Sequence, residues 1–356
     1  MKVIEHFDIS YYQYLNEKSE LALDAPAIAQ DQAALLTLYR QMLLTRLFDA
    51  KAIALQRTGK LGTYPSTRGQ EAVFVGMGHT LLPEDVFVPY YRDVGTLLAR
   101  GVSLTQVLLY WGGDERGNDF GKNNFPYSVP VGSQPLHAAG AAFALKYREL
   151  PNAALGVCGD GATSQGDFYE AMNIAGAWQL PVVFVICNNQ WAISVSRTAQ
   201  TAAKTLAQKA IAAGIPGEQV DGNDVIAVTA RVAAALQAAR EKREPRVLEM
   251  LCYRQHDHTT ADDASRYEPK IQREQEWAKE PIQRLRLYLE AKKWLNQAAH
   301  DEMEATSVQA VEIAVEQYLA TPPQPATSMF DHLYANLPPI YQAQRDLLVN
   351  KEVSHG

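Results

Sequence analysis

The chain has 356 residues, 33 basic against 40 acidic side chains and a formal net charge of −7 with neutral histidines. At 47 % apolar and 21 % charged residues it has the composition of an ordinary soluble globular protein, which excludes a collagenous, disulfide-scaffold or wholly disordered chain. A mildly acidic sequence with no block of like charge offers a phosphate backbone little to hold, so no nucleic-acid partner is expected.

Residues 1–34 carry no sustained period and read as an N-terminal arm. The segment lacks the basic start and apolar run of a signal peptide, so a cytoplasmic location is expected. From 31 to 57, Leu35, Leu38, Met42 and Leu43 recur at helical spacing, and Gly59 ends the run. A second helical stretch, 71–81, is closed by Pro83. Between 152 and 255 the pattern alternates. Short apolar runs at 153–158 and 181–187 read as strands and flank a helix over 165–179. A helix over 201–213, a strand at 218–220, an Ala-rich helix at 224–243 and a strand at 246–253 follow. This alternation predicts a parallel sheet flanked by helices, and strands that are apolar at nearly every position fit burial on both faces. The run 182–187 is far too short to cross a bilayer, so no membrane association is expected. Cys158, Cys187 and Cys252 each lie among apolar residues and read as reduced, buried thiols. Beyond 267 the chain is charged and helical at 281–295 and 300–320. The tail 328–339 is more apolar than a free end, which predicts a covering partner. The division expected is an arm (1–34), an α/β domain (35–300) and a C-terminal helix with a partner-binding tail (301–356).

Ligands of open parallel sheets bind at the carboxyl ends of the strands. Gly159-Asp160-Gly161 and Asn188-Asn189 stand at two such ends, joined by a single helix. Glycines beside Asp160 let backbone approach a ligand closely, and residues 161–165 lead to a helix N-terminus suited to phosphate. An aspartate beside a phosphate needs a cation between them, because two like charges 4 Å apart repel by about 4 kcal/mol at an effective dielectric of 20. Asp160 and Asn189 supply the hard oxygens that magnesium or calcium prefers, so the pattern points to a metal-bound diphosphate. A nicotinamide dinucleotide fingerprint would have no acid between its first two glycines.

Residues 159–178 and 188–194 resemble the thiamine diphosphate motif of the alpha subunits of thiamine-dependent 2-oxo acid dehydrogenases. Further matching motifs are Gly69-Gln70-Glu71-Ala72, Tyr90-Tyr91-Arg92-Asp93, Val129-Pro130-Val131-Gly132, the segment 208–217, Val220-Asp221-Gly222 and the histidine loop 253–263. The resemblance runs from about 35 to 339. It implies a thiamine diphosphate-binding α/β fold, with magnesium on Asp160, the Asn189 side chain and the main-chain carbonyl of Trp191. It further implies Tyr91 and Arg92 on the diphosphate and Val129 and Val131 against the aminopyrimidine. Gly159, Gly161 and Ala162 would line the same cofactor. His258 would be the active-site loop histidine, with His256 a second candidate; imidazole titrates near neutral pH and suits proton donation. Thr259 and Thr260 follow His258 where mitochondrial relatives carry regulatory serines.

The activity so implied is oxidative decarboxylation of a 2-oxo acid, with transfer of the acyl group to lipoyl on an acyltransferase component. In the family a glutamate from a second α/β domain acts on the pyrimidine ring; no second βαβ series is found here, and the resemblance implies a separate beta subunit in an α2β2 assembly. Pyruvate is the favoured substrate and a branched-chain 2-oxo acid the alternative. A magnesium-dependent phosphoryl-transfer enzyme is the reading from another class; it needs a further carboxylate, for which Asp221 and Asp224 are the candidates. A non-catalytic subunit would not be expected to keep Asp160, Asn189, Arg92 and His258 together.

Overall fold

The computed structural model describes residues 1–331 and 333–354. Its strands are β1 (Ser10–Tyr12), β2 (Val86–Val88), β3 (Ala154–Gly159), β4 (Val182–Asn188), the hairpin arms β5 (Trp191–Ala192) and β6 (Val195–Ser196), β7 (Gly217–Asp221) and β8 (Arg246–Leu251). The helices are α1 (Gln32–Arg57), α2 (Glu71–Thr80), α3 (Val94–Ala99), α4 (Leu104–Trp111), α5 (Ser133–Tyr147), α6 (Gly166–Ala177) and the single turns α7 (Arg197–Gln200) and α8 (Lys209–Ala212). They continue with α9 (Val225–Lys242), α10 (Lys270–Trp277), α11 (Pro281–Ala291), α12 (Gln297–Ala320), α13 (Ser328–Asp331) and α14 (Pro339–Ser354). No described helix is long and apolar enough to cross a membrane.

Six strands form one parallel sheet in the order β1-β7-β8-β4-β3-β2. The continuous apolar runs serve both faces, as their pattern predicts. Ala154, Cys158, Phe184 and Ile186 pack under α5 and α6, whereas Leu155, Val157, Val183, Val185 and Cys187 face α2 and α9. Local chemistry sets the helix starts. Asp31 accepts from the amide of Ala34 and begins α1, and Glu280 caps α11 ahead of Pro281. The three cysteines are free and buried.

The arm contributes more than its sequence shows. Ser10–Tyr12 pairs in parallel with β7 and extends the sheet by one edge strand, too short to leave a periodic trace. The helix expected over 201–213 reduces to the single turn α8, with irregular chain from 201 to 208 between it and α7. The buried carboxylate of Glu249 explains this: Oε2 accepts from the amides of Leu206 (2.8 Å) and Ala207 (3.0 Å), which a continuous helix would turn to carbonyls. Strand β2 and helices α3, α4, α5 and α10 lie in segments that sequence periodicity leaves unassigned. Helix α12 packs along α1 and α4 and spans residues 300 and 301, so the division expected there falls inside one helix. In the tail Met329, Leu333, Tyr334, Ile340 and Leu347 are exposed.

One buried aspartate joins the arm to the core. Asp224 Oδ1 caps α9 through the amides of Ile226 and Ala227, and Oδ2 accepts from Tyr14 and Leu15, each at 2.7 Å. Asp224→Ala strands these four donors and is expected to lower unfolding free energy by about 3 kcal/mol in a denaturant titration. A loss below about 1 kcal/mol, the scale of a single cap, would show that the arm does not depend on this residue.

Candidate functional site

Four neighbouring strands, β8, β4, β3 and β2, end along one edge of the sheet, and each delivers chemistry within a few residues of its last position. After β2 come Tyr91 and Arg92, after β3 Asp160, after β4 Asn189, and after β8 Arg254 and His258. All but Arg254, which is buried beside His258, border a cavity of about 210 Å3. Tyr91, Arg92, Val131, Gly159, Asp160, Gly161, Ala162, Asn189, Trp191 and His258 all line it.

On the acidic side Asp160 is 2 % exposed, and among the described residues the one side-chain donor to its carboxylate is Gln200, whose Nε2 lies 2.7 Å from Oδ2. Burial pushes its pKa up; the bond from Gln200, neighbouring backbone amides and the charge of Arg254 oppose this. Among the described residues no cation lies within ion-pairing distance. Asn189 turns its amide end to Gln70 Oε1 (3.0 Å), while its carbonyl oxygen accepts from the amide of Trp191 at 3.2 Å. Gln70 Oε1 also accepts from the Cys187 thiol, which fixes it as the acceptor in this cluster. Asn188 serves structure instead, donating to Glu249 Oε1 at 2.6 Å. The hairpin β5–β6 carries Gln190 and Ile193 at positive φ, 74° and 55°, and folds Trp191 back so that its indole donates to the Tyr253 hydroxyl.

On the basic side Asp93 Oδ2 accepts from the amide of Tyr90 (2.8 Å), forming a turn that presents Tyr91 and Arg92. Arg92 is 1 % exposed. Its guanidinium donates to Ser66 O (2.7 Å), to His258 O (2.6 Å) and to His258 Nδ1 (2.9 Å), and it lies 5.3 Å from the Tyr91 ring centroid. Arg254, fully buried, donates to Ile193 O and the Tyr267 hydroxyl, with its Nη1 3.4 Å from His258 Nδ1. Neither arginine is ion-paired to a carboxylate among the described residues. Arginine only donates, so His258 Nδ1 is the acceptor and Nε2 carries the proton. Burial, then the charges of Arg92 and Arg254, take the His258 pKa down to about 3. The ring is therefore a neutral hydrogen-bond donor, which differs from the near-neutral titration expected of an isolated imidazole. Its loop is held by the His258 amide on Asp262 (2.8 Å) and by Tyr267, whose hydroxyl donates to the same carboxylate.

The cavity wall requires small residues. A Cβ on Gly161 would meet Ala192 Cβ at 2.7 Å, and Gly132, at φ 89°, precedes α5 where a Cβ would meet Gln165 Cγ at 2.8 Å. Two of the expected site residues do not line the cavity. Val129 is half exposed in the loop before α5, and His256 offers its carbonyl to Arg254 Nε (3.2 Å). Asp221 and Asp224, on which phosphoryl transfer would depend, are committed elsewhere. Asp221 pairs with Arg284 at 2.6 Å, and Asp224 holds four backbone amides. Gln70, Gln200 and Arg254 were not read as site residues. Gln70 and Arg254 sit inside the matching motifs, and Gln200 carries no local signal.

A buried carboxylate without a cation facing buried guanidiniums without an acid is the donor set of a metal-bound anion. The residues thus fit a divalent ion bridged to a diphosphate. The imidazole state is testable: in the chain labelled with ¹³C-histidine, the His258 resonance is expected to stay unshifted between pH 5 and 8. A titration centred near 6.5 would contradict the derived environment.

Residues 39–327 match the dehydrogenase E1 component family. A Staphylococcus epidermidis protein named pyruvate dehydrogenase E1 component subunit alpha is 40 % identical over 92 % of this chain and 89 % of its own length. Proteins of the same name from Mycoplasma genitalium (38 % identical, 94 % of each chain) and Staphylococcus aureus (38 %, 96 % of this chain and 93 % of its own) are similar. The chain belongs to the dehydrogenase E1 component family, whose enzymes depend on thiamine diphosphate.

Proposed function

We propose that the chain is the alpha subunit of the first component of a pyruvate dehydrogenase complex, catalysing oxidative decarboxylation of pyruvate with transfer of the acetyl group to lipoyl on the acyltransferase component. The observation that carries this reading is the charge-split cavity at the ends of β2, β3, β4 and β8, with Asp160 lacking a cation on one wall and Arg92 lacking an acid on the other. The name shared by relatives that cover nearly the whole chain favours pyruvate over a branched-chain acid.

Asp160, the Asn189 carbonyl oxygen and the main-chain carbonyl of Trp191 would hold magnesium, and Tyr91 and Arg92 would hold the diphosphate, for which a planar guanidinium offers paired donors. When bound, thiamine diphosphate supplies the carbanion that attacks the 2-oxo acid and accepts the electrons left as carbon dioxide departs. The chain's own residues bind and orient. His258, neutral with its proton on Nε2, lines the cavity as a hydrogen-bond donor and is held in place by Arg92 and Asp262. Trp191 and Tyr267, ring centroids 5.5 Å apart, cover the hairpin side of the site. A beta subunit in an α2β2 assembly completes the pocket in this reading, and the exposed apolar side chains of α13 and α14 suit burial against a partner.

The test is to purify the tagged chain from its own cells with what accompanies it and to assay dye reduction with thiamine diphosphate and magnesium on pyruvate and on 3-methyl-2-oxobutanoate. The expected result is a similar-sized partner, pyruvate turnover that needs both cofactors, and none in Asp160→Ala. Preference for the branched acid would move the chain to the sister complex, and the absence of cofactor-dependent decarboxylation would refute the reading.

A further inference from the structure

Asp160 offers two carboxylate oxygens, and one of them, Oδ2, already accepts a hydrogen bond. Gln200 Nε2 donates to Oδ2 at 2.7 Å and to the Val195 carbonyl at 3.2 Å, so both of its hydrogens are spent and its donor end is fixed. The chain around Gln200 is anchored on both sides. Before it, the amide of Arg197 bonds the Gln190 carbonyl (2.9 Å) within the hairpin that carries Trp191. After it, the amides of Leu206 and Ala207 bond Glu249, which also holds Asn188, the neighbour of Asn189. Gln200 is thus braced against the same elements that present Asp160 and Asn189, while Asn189 is independently oriented by Gln70.

We propose that Gln200 is a positioning and specificity-determining residue for the divalent ion: its hydrogen bond to Oδ2 orients the carboxylate and biases Asp160 toward ligation through Oδ1. The inference rests on the metal reading above. Its consequence follows from cation chemistry. Magnesium is small, demands near-octahedral geometry and accepts single carboxylate oxygens, whereas calcium tolerates more ligands and takes carboxylates in bidentate fashion. A carboxylate biased toward one oxygen therefore discriminates against calcium. Gln200→Met keeps length and volume but removes the donor, freeing Oδ2 for a second contact.

The experiment titrates magnesium and, separately, calcium into the full-length protein with its partner and thiamine diphosphate present, by calorimetry, for wild type, Gln200→Met and Asp160→Ala. Gln200→Met is expected to bind magnesium about 10- to 100-fold more weakly, the usual scale for an outer-sphere hydrogen bond. Calcium is expected to lose less, so the magnesium-to-calcium affinity ratio narrows about tenfold, a change in ratio that a general loss of stability would not produce. Gln200→Ser, too short to reach Asp160, gives the same ratio if the donor is what matters. An unchanged ratio in both Gln200 variants overturns the proposal, whatever happens to either affinity alone. Wild-type magnesium affinity in Asp160→Ala overturns instead the metal reading beneath it.

Discussion

The site depends on separated charge held out of water. Arg92 is buried on one side of a small cavity without an acid partner, with Arg254 buried behind His258, and Asp160 is buried on the other side without a cation. Unpaired charge in such a place costs several kcal/mol per group, so folding alone does not account for the arrangement. In the proposed reading a metal-bound diphosphate would offset both halves at once, with the guanidinium of Arg92 holding the anion and Asp160 and Asn189 holding the cation. Burial of His258, and then the charges of the same two arginines beside it, explain why that ring stays neutral with its proton on Nε2.

The parallel sheet is what brings these groups together. Four adjacent strands all end at one edge, so residues far apart in sequence, from Arg92 to His258, reach the cavity without long loops. The remaining buried polar groups serve that edge. Glu249 holds Asn188 and the segment after Gln200, Asp93 shapes the turn before α3, and Gln70 collects the Asn189 amide and the Cys187 thiol. Removal of any one would loosen a ligand-bearing strand end before it touched the ligand itself.

Much of this was legible in the sequence because its causes are local. Apolar runs at 153–158 and 181–187 announce strands buried on both faces, and an acid between two glycines at a strand end announces a ligand. Gln200, by contrast, acquires its role only when the hairpin and the Glu249 anchor bring it against Asp160, and nothing in residues 197–204 encodes that. The same anchor dissolved the helix expected at 201–213, since Glu249 lies some forty positions later and its effect on backbone amides has no local period. Strand β1 was hidden for another reason: three residues paired on one edge bury too little to leave a pattern. The neutrality of His258 likewise comes from burial and then from two arginines, one of them 166 positions away.

Coupling between the two halves of the cavity tests the account most directly. Thiamine diphosphate affinity of the protein purified with its partner would be measured by calorimetry in chelator and in saturating magnesium, and magnesium affinity with and without thiamine diphosphate. The account predicts that each ligand tightens the other by the same factor, at least about tenfold, because coupling between sites is reciprocal. Thiamine diphosphate binding of equal strength with and without magnesium would contradict it.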